Sequence, residues 1–168
     1  MSTAPPPRTP GRNRLLVATV VLVVVAVAVW AYVRGSSSVQ AAPDADNPAC
    51  ASLLSALPAD LDGLGARRQG AVGVAAWGDD QVVLRCGGPI VGPTTKSCLP
   101  IGPDAGSSID WIEDARNDRA VRFLTYGRDP AVEVTVRFGN GISTDQASSK
   151  LVDLADAVSH IPQTRTCV

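Results

Sequence analysis

The chain has 168 residues, with 15 basic and 16 acidic side chains, a formal net charge of −1, one histidine and four cysteines. That length suits one domain of ordinary size, or a smaller domain with an appendage. The balanced charge excludes a strongly basic nucleic-acid binder, and a single histidine excludes a histidine-rich metal or catalytic centre. Mean hydropathy is +0.13, high for a soluble domain, so the apolar residues must be concentrated somewhere.

They are concentrated at the front. Residues 15–33 are 19 consecutive uncharged residues, of which only Thr19 carries an aliphatic hydroxyl. Wound as a helix they would span about 28 Å, close to the hydrocarbon thickness of a bilayer. The run is apolar all round, unlike a core helix with a polar stripe, so a transmembrane helix is expected. Arg8, Arg12 and Arg14 precede it and Arg34 follows, which places the N-terminus in the cytoplasm and the rest outside. Trp30 and Tyr32 then fall at the outer interface.

Val39-Gln40-Ala41 has the small-residue pattern of a signal-peptide cleavage site. The apolar run is longer than an ordinary signal core and ends eight residues earlier, so a retained anchor is the expectation. Residues 1–14 are expected to be a disordered cytoplasmic tail and residues 34–47 a linker, with residues 48–168 as an extracytoplasmic domain. Residues 1–34 carry +4 and residues 43–168 carry −5, so the outer part should not adhere to polyanions by charge.

All four cysteines, Cys50, Cys86, Cys98 and Cys167, lie in that outer part. An even number on the oxidising side of a membrane predicts two disulfides. No pair has C-x-x-C spacing, so zinc is a poor reading, and neither metal nor cofactor is expected.

Asn47 as N-cap and Pro48 at the first helical position predict a helix over residues 48–57, with Cys50, Leu53, Leu54 and Leu57 on one face. The pattern then changes to period two. Residues 72–77 and 81–86 flank the turn Gly78-Asp79-Asp80. Residues 109–112 form a short strand candidate, and residues 121–126 and 131–138 flank Gly127-Arg128-Asp129-Pro130. In the last strand Val132, Val134, Val136 and Phe138 alternate with Glu133, Thr135 and Arg137. Ser143 and Gln146 form a capping-box pair opening a final helix through Ala147, Leu151, Leu154, Val158 and Ile161. His160 lies on its water-facing side. The expected fold is α+β, with four or five mainly antiparallel strands and two helices on one face.

Candidate chemistry is thin. Gly87 and Gly92 have phosphate-loop spacing, but Pro93 stands where the lysine must be. The acids occur as Asp60/Asp62, Asp79/Asp80 and Glu113/Asp114, at turns and strand ends where local hydrogen bonding explains them. Residues 87–108 hold five glycines and four prolines without periodicity, a long loop and a candidate binding surface.

Five segments carry a resemblance: CASLLSALP at residues 50–58, AAWG at 75–78, VLRCG at 83–87, IDW at 109–111 and TYGRDPAVEV at 125–134. Together and in order they resemble an actinobacterial family of membrane-anchored domains, domain of unknown function thirty-five fifteen. The resemblance implies an extracytoplasmic domain behind one N-terminal helix and brings no activity or catalytic residue. Cys50 and Cys86 lie within the resembling segments and on core-facing positions, whereas Cys98 and Cys167 lie outside them. The favoured pairing is therefore Cys50 with Cys86 and Cys98 with Cys167, the rival being Cys86–Cys98 with Cys50–Cys167. The expected function is a non-enzymatic envelope module that binds another envelope protein or a wall component, not nucleic acid. The alternative is a small hydrolase using carboxylates near the Gly/Pro-rich loop.

Overall fold

The computed structural model describes residues 11–35 and 39–167, with side chains inside the first helix described over residues 16–29. The chain divides into two compact units, residues 1–36 and 37–168. The first is helix α1, Gly11–Gly35. The last proline before it is Pro10, and nothing from Gly11 onward denies helical geometry, so the expected tail is already helical by residue 11. Residues 1–10 of that tail lie outside the described residues, as do the side chains of Trp30 and Tyr32. Among the described residues no helix is long and apolar enough to cross a membrane. The described side chains of α1 make a stretch shorter than the ~18–20 residues a span requires.

The second unit opens with α2, Pro48–Ala56, whose N-cap Asn47 accepts a hydrogen bond from the Ala49 N–H at 3.0 Å. Its C-terminal carbonyls are met from outside: Arg67 Nη1 donates to Leu54 O and Leu57 O at 2.8 and 2.9 Å. Seven strands follow: β1 Arg68–Gln69, β2 Val74–Trp77, β3 Val82–Gly88, β4 Cys98–Ile101, β5 Ile109–Arg116, β6 Ala120–Thr125 and β7 Ala131–Arg137. They form one antiparallel sheet in the order β1-β2-β3-β7-β6-β5-β4. The first three strands meander, the chain crosses to the far edge, and the remaining four meander back until β7 pairs with β3.

Two strands exceed the expected four or five. β1 is two residues long, too short to show any period. β4 lies inside the supposed structureless loop, and Pro100 within it disguises the pattern. Proline is tolerated there because β4 is an edge strand, with one side of its backbone free of the ladder.

Alternation puts Trp77, Val82, Leu84, Trp111, Phe123, Val132, Val134 and Val136 on one sheet face, all buried. Cys50 and Leu53 of α2 and its C-cap Leu57 close over that face together with Leu151, Leu154, Val158 and Ile161. Those last residues are not on one α-helix, as expected, but on a 3-10 helix Ala147–Leu154 followed by a short α3, Ala155–Ser159. The expected capping pair is present at the start of the 3-10 helix, bonded side chain to side chain. Gln146 Oε1 accepts from Ser143 Oγ at 2.8 Å, and Ser149 Oγ bonds back to Gln146 O at 2.7 Å. Tighter winding then buries Ala147, Lys150, Leu151 and Leu154 at spacings of three and four. His160 is exposed, as expected.

The expected linker is also partly folded. Ala42 and Ala45 are buried, and the Asp44 N–H donates to Gly87 O at 3.0 Å. Residues 42–47 thus form a strap packed on the end of β3. Gly87 makes room for it: at φ +105° a Cβ there would lie 2.6 Å from Asp44 O and closer still to Asp44 C and Ala45 N.

Candidate functional site: an ion-paired cleft on the open sheet face

The sheet face away from the helices is only partly covered. Val74, Ala76 and Val83 form a small buried cluster there with Val39. Beyond them the alternation that sends Leu84, Val134 and Phe123 inward sends Arg85, Glu133, Arg122 and Leu124 outward. Arg85 and Glu133 stand opposite each other on β3 and β7 and pair at 3.4 Å. Leu124 on β6 is opposite Glu133 on its other side.

On β5 the register slips between Glu113 and Ala115. Asp114, the extra residue at this bulge, lies on the open face and lines the cleft there. Arg122 Nε donates to Asp114 Oδ2 at 2.9 Å, and Lys96 Nζ donates to Asp114 Oδ1 at 2.7 Å. Pro43, Pro89, Ile90 and Val91 rise beside these charges and complete a cleft of about 280 Å³. Ile90 is 45% exposed. The cleft therefore joins an apolar wall to two cations, Arg85 and Arg122, and two carboxylates, Glu133 and Asp114, all four in ion pairs, with Lys96 holding Asp114 from outside the lining.

Hydrogen bonds from Lys96 and then Arg122 hold the Asp114 carboxyl below its ordinary value of 3.8, against a smaller opposing effect of burial. Asp114 is thus an acceptor of ion pairs and a poor proton donor. Glu113, the adjacent acid, is likewise lowered by its hydrogen bond from Arg116. A carboxyl whose folded-state pKa is depressed adds stability above the unfolded value, and that stability is lost as pH falls through the folded pKa. Urea midpoints should therefore decline as pH drops below 3.8. The Asp114→Asn variant should be less stable at neutral pH and show a shallower decline, the two curves converging in acid. Parallel curves would mean that Asp114 gains nothing from Lys96 and Arg122.

The four cysteines are joined as Cys50–Cys86 and Cys98–Cys167, with Cα separations of 5.6 and 6.2 Å. The first bridge is fully buried between α2 and β3; the second is half-buried and ties edge strand β4 to the C-terminal tail. Donor atoms of Cys98, Asp110 and Cys167 lie within 4.8 Å of one another, but both sulfurs are engaged in the disulfide and leave no thiolate to ligate a metal. The remaining acids do local work. Asp60 accepts from the Gly63 N–H at 2.8 Å, Asp62 pairs with Lys150, and Asp80 pairs with Arg68 at 2.7 Å. Asp79 and Asp80 both have positive φ, in the β2–β3 turn.

Of the acidic pairs singled out in the sequence, only Glu113/Asp114 reaches the cleft, and only through Asp114. Part of the long loop does line it, at Gly88, Pro89, Ile90 and Val91. Arg85, Arg122, Leu124 and Glu133 were not foreseen as a site. The outward half of the alternation was the available signal, yet it looks the same for a solvated face.

Fold and site together define a disulfide-braced α+β domain with one sheet face sealed by helices and the other carrying an ion-paired cleft. A family model described as Protein of unknown function (DUF3515) matches residues 15–166, and the chain belongs to that family. Neither a curated protein nor a solved structure matches the chain.

Proposed function

We propose that this is a single-pass membrane protein whose N-terminus is cytoplasmic and whose residues 37–168 form an extracytoplasmic, non-enzymatic module binding another envelope component through the open-face cleft. The cleft is the observation that carries the binding reading. It places apolar side chains beside ion pairs that fix polarity and register, the mixed character of recognition surfaces. The lowered pKa of Asp114 favours binding over hydrolysis, because a general acid needs a raised pKa and a proton to give.

The anchor rests on the uncharged run at residues 15–33 and on the excess of arginine before it. Two disulfides accord with an oxidising compartment. Protease added to intact, wall-stripped cells should release the domain from the membrane fraction. A mature protein beginning at Ala42 would show instead that the helix is a removed signal.

Crosslinking of the anchored protein in its native envelope tests the function. A partner should be recovered, and Leu124→Arg, which places a third arginine beside Arg85 and Arg122, should reduce recovery at least about tenfold, the equivalent of about 1.4 kcal/mol. Undiminished recovery from that variant would move the binding surface elsewhere. Turnover of a wall-derived substrate with no partner recovered would overturn the reading.

A further inference from the structure

Arg128 lies in the turn between β6 and β7 and is 6% exposed. Its Nη1 donates to Ile161 O and its Nη2 to the side-chain oxygen of Gln163, while its Nε is buried with no hydrogen-bond partner. Among the described residues no carboxylate lies within ion-pair distance of it; the six ion pairs all involve other groups. Asp110 is the acid that acts on it electrostatically, and burial outweighs that effect. Asp110 is itself occupied, accepting from Gln163 Nε2 at 3.1 Å and from the Cys167 N–H at 3.0 Å. A buried guanidinium with only neutral acceptors is an expensive arrangement, because removal from water is offset chiefly by a directly paired anion.

Arg128 also lines a cavity of about 410 Å³, distinct from the open-face cleft. Its buried walls include Ile109, and its rim is formed by the exposed Ser107, Asp156, Ser159 and Gln163. The cavity thus contains one desolvated cation, hydroxyl groups and one exposed carboxylate. A simple inorganic anion would satisfy the guanidinium but would meet Asp156 as a like charge. A ligand with a carboxylate at one end and a hydrogen-bond donor at the other would satisfy both.

We propose that this cavity is a binding site for a small organic acid bearing a hydroxyl or amino group, its carboxylate paired with Arg128 and its donor directed to Asp156. The planar fork of arginine suits a carboxylate, and the serine hydroxyls of the rim serve either polarity. The proposal is independent of the open-face cleft.

Ligand-observed NMR titrations of the full chain test it, with sodium glycolate, sodium acetate and sodium chloride at constant ionic strength. Glycolate should bind saturably and about fivefold more tightly than acetate, a ratio corresponding to one hydrogen bond of about 1 kcal/mol. Asp156→Ala should bring glycolate and acetate to parity. Arg128→Gln should abolish binding of both. Since that change also removes the bond to Ile161 O, Ser159→Trp provides an independent arm. It leaves Arg128 intact, fills the cavity from its exposed rim, and should equally abolish binding. Absence of saturable glycolate binding, binding unaffected by Ser159→Trp, or equal competition by chloride would each overturn the proposal.

Discussion

Replacing Cys50 and Cys86 together by alanine should destabilise the domain by about 4 kcal/mol from loop closure alone, with a further loss of about 1 kcal/mol or more from core packing. The bridge spans 36 residues, and both cysteines are fully buried between α2 and the sheet. The other bridge, Cys98–Cys167, spans 69 residues, but a twofold longer loop adds only about 0.6 kcal/mol. Cys98 and Cys167 are only half-buried, so their removal opens less of a cavity. Packing therefore outweighs loop length, and the Cys50/Cys86 double variant should unfold at the lower urea concentration. Tryptophan fluorescence can follow the transition, since Trp77 and Trp111 are both buried in the core. A greater loss from the Cys98/Cys167 variant would show that the core relaxes around the missing sulfurs.

Gly87→Ala should cost about 2–5 kcal/mol, from backbone strain and from collision with the strap together. The two contributions can be separated within this chain. Gly139 has the same φ of +105° as Gly87, yet a Cβ there would meet nothing within 4 Å. Gly139→Ala therefore measures the strain of the left-handed region alone, about 1–3 kcal/mol. At Gly87 the added carbon faces the backbone of Asp44 and Ala45, which cannot rotate away as a flexible side chain would. The excess of Gly87→Ala over Gly139→Ala reports the docking of the strap. Amide exchange at Asp44, whose N–H is bonded to Gly87 O, should quicken in the first variant and not in the second. Equal losses would mean that the strap adds nothing to stability.

Both results bear on the function proposed above. The strap contributes Ala42 and Pro43 to the open-face cleft, and the segment just beyond Gly87 contributes the other side. Freeing the strap should therefore disturb the cleft while leaving the helix-covered core in place. Partner recovery from a Gly87→Ala protein should fall with its stability held above the assay temperature.

Local physical rules were enough for much of this architecture. Asn47 and Pro48 mark the start of α2, and alternation in residues 131–137 marks both the strand and its buried face. The burial of Val132, Val134 and Val136 follows from one period of two, because a strand that buries one face leaves no other register. The pairing of Cys50 with Cys86 was also within reach, since each lies on an apolar stripe and such stripes meet in a core of this size. The family resemblance, which covers both of those cysteines, points the same way, and with them paired Cys98 and Cys167 are the two that remain.

What local pattern could not supply came from long-range pairing. β4 exists because β5 offers Cys98–Ile101 a ladder, overriding the contrary local signal of Pro100. The last helix is 3-10 for eight residues, opening on side-chain bonds among Ser143, Gln146 and Ser149, and an apolar period of three and four does not distinguish that winding from an α-helix. The cleft and the Arg128 cavity are further removed still. Arg85 and Glu133 are 48 positions apart and meet only through the β3–β7 register. Arg128 sits in a turn that composition marks as solvent-facing, and it is buried because the tail folds across it, with the Thr164 N–H bonded to Gly127 O at 2.6 Å. Periodicity reports which face of an element is apolar. Which polar side chains then share a cleft, and which cation is buried beyond ion-pair distance of a carboxylate, depends on strand order and crossings, which no single segment encodes.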